Sequence, residues 1–227
     1  MLLNRLILPL VLLTGVSFGQ DYGSLSGAVT DKSGIAVSGA TVYAVPIKPA
    51  GAFPKTKTDA DGRYIFERLP YGGYTVLLAK PSEGYPDPFY VPKCNDTKEP
   101  EIELSEENPN VKLDLGFGEK AGVLVGTVAD ADSGKPIDAN SELRCLSDPS
   151  RSVTMFGTLT YDTLTFAQFK VLVPSNTSVF MTVRQRGYEE WRFTQNGVAA
   201  PILLAPGETL ILDIKLKRTA GAGDATP

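Results

Sequence analysis

The side chains that could carry covalent or metal chemistry are few in this chain. None of its 227 residues is histidine, which excludes a Ser-His-Asp or Cys-His nucleophile and a histidine-bearing zinc or iron site. The two cysteines, Cys94 and Cys145, are too few for a thiolate zinc cage or an iron–sulfur cluster. We therefore name no catalytic residue, no cofactor and no metal ligand.

Carboxylate pairs are the remaining route to hydrolysis. Glycoside hydrolysis needs two carboxyl groups roughly 5–10 Å apart across a cleft. Glu106-Glu107 and Glu189-Glu190 are adjacent in sequence, and neighbours on a strand point to opposite faces. We expect solvated charge at these positions, and a chain that is not an enzyme.

The two cysteines are a candidate structural link. In a secreted, oxidising setting Cys94 and Cys145 could pair. A bridge would close a loop of about 50 residues and stabilise the fold by about 4 kcal/mol in the chain-entropy model. The alternative is two unpaired thiols with Cys145 buried, and the spacing alone does not choose between them.

Two aromatic clusters are the candidate contact sites. The residues proposed to touch a ligand or partner are Tyr85, Phe89, Tyr90, Tyr188, Trp191 and Phe193. Aromatic faces beside carboxylates suit sugar rings, and they also suit protein partners. The alternative is that these rings cap hydrophobic cores, because large aromatic side chains are usually mostly buried.

The elements that must position these residues are β-strands. Leu210, Leu212, Ile214 and Leu216 alternate with other residues, a period of two. The 22 glycines and 17 prolines fit a chain with frequent turns, which predicts an all-β sandwich or barrel. Asp61-Gly62 predicts a tight hairpin. A calcium loop beginning at Asp59 would need glutamate where Pro70 stands.

An internal repeat of about 100 residues organises the chain. Gly27-Ala28-Val29-Thr30-Asp31 recurs as Gly126-Thr127-Val128-Ala129-Asp130, and Gly84-Tyr85 recurs as Gly187-Tyr188. We predict one domain at 20–118, a second and more divergent one at 119–218, and a disordered tail at 219–227.

The first nineteen residues are typical of an export signal. Arg5 precedes the apolar run from Leu6 to Val16, and Ser17-Phe18-Gly19 is a small-x-small cleavage pattern. The apolar run is short for crossing ~30 Å of hydrocarbon. We predict a signal peptide at 1–19 that is cut after Gly19, a secreted or periplasmic protein, and no transmembrane segment after cleavage.

Residues 23–117 resemble the carboxypeptidase regulatory-like domain family. The motifs that carry the resemblance are Gly27-Ala28-Val29-Thr30-Asp31, the stretch from Thr58 to Phe66, and the stretch from Leu69 to Val76. The resemblance implies two tandem Ig-like or prealbumin-like β-sandwich domains, the second matching at its ends more than in its middle. It also implies a non-catalytic accessory module.

The net charge of −4 argues against a nucleic-acid partner. We expect a module that acts in structural scaffolding or protein interaction at the cell envelope. Its partner would be an unidentified envelope protein or polysaccharide. The alternative function is carbohydrate binding through the aromatic loops at the sandwich ends.

Overall fold

The computed structural model describes residues 21–48, 53–155 and 168–220. The predicted signal peptide and residues 221–227 of the predicted tail lie outside these ranges. The described residues form β-strands and one short 3-10 helix, Pro81–Glu83, so the prediction of an all-β sandwich fold is confirmed. No helix within these ranges has the length and apolar character needed to cross a membrane.

The first half forms a two-sheet sandwich. In chain order its strands are β1 (Tyr22–Thr30), β2 (Thr41–Pro46), β3 (Lys55–Lys57), β4 (Arg63–Pro70), β5 (Gly72–Ala79), β6 (Glu101–Leu104), β7 (Asn110–Lys112) and β8 (Leu115–Gly116). One sheet has the order β4-β1-β7, with β8 also pairing with β1, and the other has the order β3-β2-β5-β6. The β1–β7 and β1–β8 pairs are parallel.

The second half repeats this arrangement. Its strands are β9 (Gly122–Asp130), β10 (Asn140–Cys145), β11 (Ser152–Met155), β12 (Gln168–Val173), β13 (Val179–Arg184), β14 (Trp191–Arg192), β15 (Thr194–Gln195), β16 (Val198–Ala199) and β17 (Thr209–Leu216). The sheets have the orders β12-β9-β17 and β11-β10-β13-β14, and β15 pairs with β16. The β9–β17 pair is parallel, as β1–β7 is.

Alternation along the strands places one face of each sheet in a core. On β4, Tyr64 and Phe66 are buried while Ile65 and Glu67 are exposed. One core cluster joins both sheets of the first half, and a separate cluster joins both sheets of the second half. The alternation of apolar residues in the sequence therefore correctly predicts which side chains of the strands face the core.

The Asp61-Gly62 turn forms, but the hairpin prediction is wrong. Gly62 has a positive φ of 73°, as expected, and the carboxylate of Asp59 accepts the backbone N–H groups of Asp61 and Arg63. The strands that flank the turn, β3 and β4, belong to different sheets. The turn carries the chain across the sandwich rather than between neighbouring strands.

Both sandwiches have a glycine where the central strand meets its parallel neighbour. A Cβ on Gly27 would lie 1.9 Å from the carbonyl oxygen of Leu113, and one on Gly126 would lie 1.8 Å from that of Leu212. Only a residue without a side chain fits such a close backbone approach. This explains why the repeated Gly-x-Val pattern opens each half.

Candidate functional site

A disulfide joins the two sandwiches. Cys94 lies in the loop between β5 and β6, Cys145 is the last residue of β10, and their Cα atoms are 5.3 Å apart. Cys145 is fully buried, and the backbone carbonyl of Cys94 accepts a 3.3 Å hydrogen bond from the Ser147 hydroxyl. The bond therefore fixes a loop of the first half to a strand end of the second.

The guanidinium of Arg151 clamps the same loop. It donates to the carbonyl oxygen of Asn95 at 2.6 Å and to the carboxylate of Asp96. Its Nε also lies 3.1 Å from the carboxylate of Asp148. The hydrogen bond to Asp96 is the largest cause of a raised pKa for Arg151. One side chain of the second half thus holds two successive residues of the first.

The segment between the sandwiches is part of their contact. The N–H of Ala121 donates to the carbonyl oxygen of Gly84 at 2.8 Å, and its own carbonyl accepts from Gly207 at 3.0 Å. Ala121 is 2% exposed and forms a small apolar cluster with Val91 and Leu172. One residue therefore bonds to both halves through its backbone, and the two sandwiches pack on each other here.

Tyr188 takes part in a buried polar cluster. Its hydroxyl donates to the carboxylate of Asp130 at 3.0 Å, and Arg218 donates to the same oxygen at 2.9 Å. Asp130 is 2% exposed and also accepts from the backbone and hydroxyl of Ser133. These bonds, led by the one from the Ser133 backbone, hold the pKa of Asp130 well below its usual range. The cluster ties the loop at Tyr188, and Arg218 just beyond β17, to the end of β9.

Three more of the six proposed contact residues also pack on a core. Tyr85 is 6% exposed and stacks on Phe117, with ring centroids 4.2 Å apart. Trp191 and Phe193 are partly buried against the second core. The ring of Tyr85 is therefore mostly buried, and the positions of all three match the core-capping alternative.

Phe89 and Tyr90 are exposed and belong to a larger aromatic surface. Phe89 is 39% exposed and meets Tyr43 edge to face at 5.2 Å. Its ring is parallel to that of Phe53 within 4°, with centroids 5.8 Å apart, and Phe53 is 49% exposed. We call Tyr43, Phe53, Phe89 and Tyr90 the aromatic patch.

Asp87 holds the aromatic patch together. Its carboxylate accepts the backbone N–H of Phe89 at 3.0 Å and the hydroxyl of Tyr43 at 3.3 Å. Burial, and then the nearby Asp87, raise the pKa of the Tyr43 hydroxyl. The sequence did not indicate Tyr43 and Phe53 as contact residues, because they lie far from Phe89 in the chain. The one usable signal was that Tyr43 lies between the apolar residues Val42 and Ala44 on β2, and so faces outward.

A cleft of about 950 Å³ lies between the halves, next to the disulfide. Leu77, Pro92 and Cys94 form part of its wall on the first half, and Pro174 and Asn176 form part on the second. Within the described ranges, no group of three or more cysteine or acidic residues is arranged to hold a metal ion.

Comparison with known families gives one match. Residues 24–84 match the model of the carboxypeptidase regulatory-like domain. This stretch lies within the first sandwich and covers most of β1 and all of β2 to β5. A comparison with curated proteins found no match.

Solved structures resemble the chain only loosely. The Bacillus anthracis TIE protein is 19% identical with a TM-score of 0.33, covering 87% of this chain and 34% of its own. The shaft pilin spaA from Lactobacillus rhamnosus GG is 9% identical with a TM-score of 0.32, covering 88% and 99%. BcpA, the major pilin subunit of Bacillus cereus, is 10% identical with a TM-score of 0.32, covering 88% and 100%. The chain thus spans about a third of the TIE protein. Similarity at this level carries no conclusion about function.

Proposed function

We propose that this chain is a non-catalytic structural module of the cell envelope. In this proposal residues 1–19 direct export, and residues 20–118 and 119–218 are two carboxypeptidase regulatory-like sandwiches that serve as a spacer or scaffold. The observation that carries the proposal is the joint between the halves. The proposed partner of the protein is an envelope protein or polysaccharide.

The joint supports a spacer because it combines three independent restraints. The disulfide is covalent, Arg151 forms an ion pair with Asp96, and Ala121 bonds to both halves through its backbone. Domains joined by small polar interfaces usually move relative to one another. Restraints of three kinds at one contact favour a fixed angle, which a spacer needs and a flexible tether does not.

A distance measurement across the joint tests this proposal. Spin labels on Ile65→Cys in β4 and Ile211→Cys in β17 report on the two halves, since both positions are exposed. We expect a narrow distance distribution in the oxidised protein and a broader one when Cys94→Ser and Cys145→Ser are added. A second pair within the first half, Ile35→Cys with Ile65→Cys, should stay narrow in both backgrounds.

A broad distribution in the oxidised protein would contradict a fixed joint.

Export is tested separately, by fractionating cells that produce the full chain and sequencing the N-terminus of the secreted or periplasmic form. A mature protein that begins at Gln20 supports the proposed cleavage. Retention of the uncut chain in the cytoplasm would contradict envelope function.

The aromatic patch supports a second candidate function, carbohydrate binding. Phe53 and Phe89 present two parallel, half-exposed rings, and pyranose rings stack their apolar C–H faces on such surfaces. This candidate differs from the sequence-based one, because it relies on Phe53, Phe89 and Tyr90 and not on Tyr85.

Binding to soluble and insoluble polysaccharides tests this candidate. We expect Phe89→Ala to lower retention at least tenfold, because a stacked aromatic ring is a major part of such a contact. Ile211→Ala is the matched control, since Ile211 is an exposed apolar side chain on β17 of the second half. Equal retention of the two variants would exclude the patch as a sugar site.

A further inference from the structure

The sheet β3-β2-β5-β6 has short outer strands of opposite charge. The strand β3 is Lys55-Thr56-Lys57, and both lysines are exposed. The strand β6 carries Glu101 and Glu103, which are also exposed. Among the described residues, neither lysine of β3 takes part in a salt bridge.

The side chains of the two lysines lie on the outer face of the sheet, and their backbone N–H and C=O groups point to its open edge. Lys55 pairs with the outward-facing Tyr43 of β2, and Lys57 pairs with Thr41. The N–H of Ala44 donates to Pro54, so in the alternating antiparallel pattern Thr56 bonds to β2. The N–H and C=O groups of Lys55 and Lys57 therefore point to the open edge.

The same arrangement occurs at the opposite edge. Glu101 pairs with Thr75 and Glu103 with Gly73, while Ile102 pairs with the buried Tyr74. The N–H of Val76 donates to Pro100, so Ile102 and Leu104 bond to β5 and the two glutamates do not. The open backbone groups of β6 thus belong to Glu101 and Glu103. The carbonyl of Glu103 has one long 3.4 Å contact, from the Asn108 amide.

Strand directions make the two edges complementary by simple translation. Every neighbouring pair in this sheet is antiparallel, so β3 and β6 run in opposite directions. A second copy that is shifted sideways, and turned only by the normal twist of the sheet, therefore presents its β3 antiparallel to β6 of the first. The outer faces stay on one side, and two lysines then lie opposite two glutamates.

We propose that copies of this chain associate head to tail through β3 of one and β6 of the next. The contact continues the sheet β3-β2-β5-β6 from molecule to molecule. It leaves one free edge at each end, and such a heterologous contact forms open chains and not closed dimers. This inference deepens the proposed structural role and rests on it, because it names the partner as a second copy.

Charge on edge strands often prevents pairing, and the sign pattern argues against that reading here. Lysines on an edge repel a like edge, but a basic edge and an acidic edge on the same sheet attract. In the described part of the second half, the corresponding sheet has no such pair of edges. Its strand β11 has no charged residue, and its strand β14 is Trp191-Arg192.

Paired charge reversals test the inference. Sedimentation velocity of the purified protein at low ionic strength should show species larger than a dimer as concentration rises, and about 0.5 M salt should weaken them by screening. Lys55→Glu/Lys57→Glu makes both edges acidic, and Glu101→Lys/Glu103→Lys makes both basic. We expect each variant alone to associate about tenfold or more weakly.

An equimolar mixture of the two variants is the decisive sample. Every contact in it can again join an acidic edge to a basic one, so association should return to the wild-type level. The matched control is Lys215→Glu/Lys217→Glu, which changes net charge by the same amount as Lys55→Glu/Lys57→Glu, at positions in and after β17. This control should still associate, and unchanged circular dichroism should verify folding of every variant.

Three outcomes would overturn the inference: a wild-type protein that stays monomeric, a variant that associates alone like wild type, or a mixture that stays monomeric. The label distances across the joint do not depend on association at low concentration. A rigid monomer would therefore remove the head-to-tail contact and leave the spacer proposal standing. A flexible joint with restored mixed association would do the reverse.

Discussion

The hydroxyl of Tyr64 donates a 2.7 Å hydrogen bond to the backbone carbonyl of Leu113. Leu113 lies between β7 and β8, and its carbonyl is also the one that approaches Gly27. In the second sandwich Phe169 pairs with Gly126 as Tyr64 pairs with Gly27, and it has no hydroxyl. The Tyr64–Leu113 hydrogen bond therefore occurs in the first sandwich, where the strand parallel to β1 is divided into β7 and β8.

We predict that Tyr64→Phe destabilises the protein by roughly 0.5–1.5 kcal/mol, because it removes one buried hydrogen bond and keeps the ring. Burial, together with the nearby Asp114, raises the pKa of the Tyr64 hydroxyl, so it remains a donor at neutral pH. Urea unfolding measures the change. Tyr22→Phe on the exposed start of β1 is the control, and equal losses in the two variants would contradict the assignment.

The close approaches at Gly27 and Gly126 predict matched losses in the two sandwiches. Either Gly→Ala change places a methyl group within 2 Å of a backbone carbonyl, so strands must shift. Overpacking of this kind costs roughly 1–3 kcal/mol or more. Gly118→Ala is the control, because nothing lies within 4 Å of its Cβ position. Thermal unfolding that ranks Gly118→Ala with the other two would refute the steric reason.

Asp130→Asn should destabilise the protein in a pH-dependent way. The pKa of Asp130 is lowered in the folded state, so its charged form stabilises the fold above its unfolded pKa of about 4. As pH falls below that value, protonation removes the advantage. The difference in urea midpoint between wild type and Asp130→Asn should be constant above about pH 5 and should shrink below about pH 4.

The neighbouring Asp132 provides the comparison for that titration, because its side chain is exposed. Asp132→Asn should leave the midpoint close to wild type throughout. A wild-type advantage over Asp130→Asn that grows on acidification would have the opposite sign and would contradict the charged cluster with Tyr188 and Arg218.

Loss of the disulfide should cost about 4 kcal/mol in the chain-entropy model, because the bond closes a separation of 51 residues. Cys94→Ser/Cys145→Ser should unfold at lower urea than the oxidised protein and should not respond to reductant. A thiol assay on the unfolded, unreduced protein should find no free thiol. Two titratable thiols would show that the pair does not form in the cell.

Local patterns predicted the strands well because alternation records which face is buried. Apolar residues also alternate from Val111 to Phe117 as they would on one strand, yet the structure has two strands there, β7 and β8. The carboxylate of Asp114 accepts the N–H of Ala28 at 2.9 Å and replaces a backbone acceptor there. At the matching place Asp213 accepts a hydroxyl from Thr127 instead, and β17 is continuous. Alternation of apolar residues does not show which hydrogen-bond donor an aspartate side chain will accept, so it could not predict the break between β7 and β8.

The candidate contact surface was harder to predict than the fold. Tyr85 and Phe89 lie four residues apart in one loop, yet one faces the core and the other faces solvent. The ring parallel to Phe89 is Phe53, which is brought there by the pairing of β2 with its neighbours. Such contacts depend on tertiary structure, so no local window contains them.

The disulfide also decides how the chain would carry tension. A pull on the two ends passes through Cys94 and Cys145, and the residues between them are bypassed. The bypassed segment contains β6, β7, β8, β9 and β10 up to Cys145, including the whole connection between the sandwiches. Stretching would therefore release about 170 Å less chain in the oxidised protein than in the reduced one. Under load, the two sandwiches would keep their junction even after the outer strands had given way.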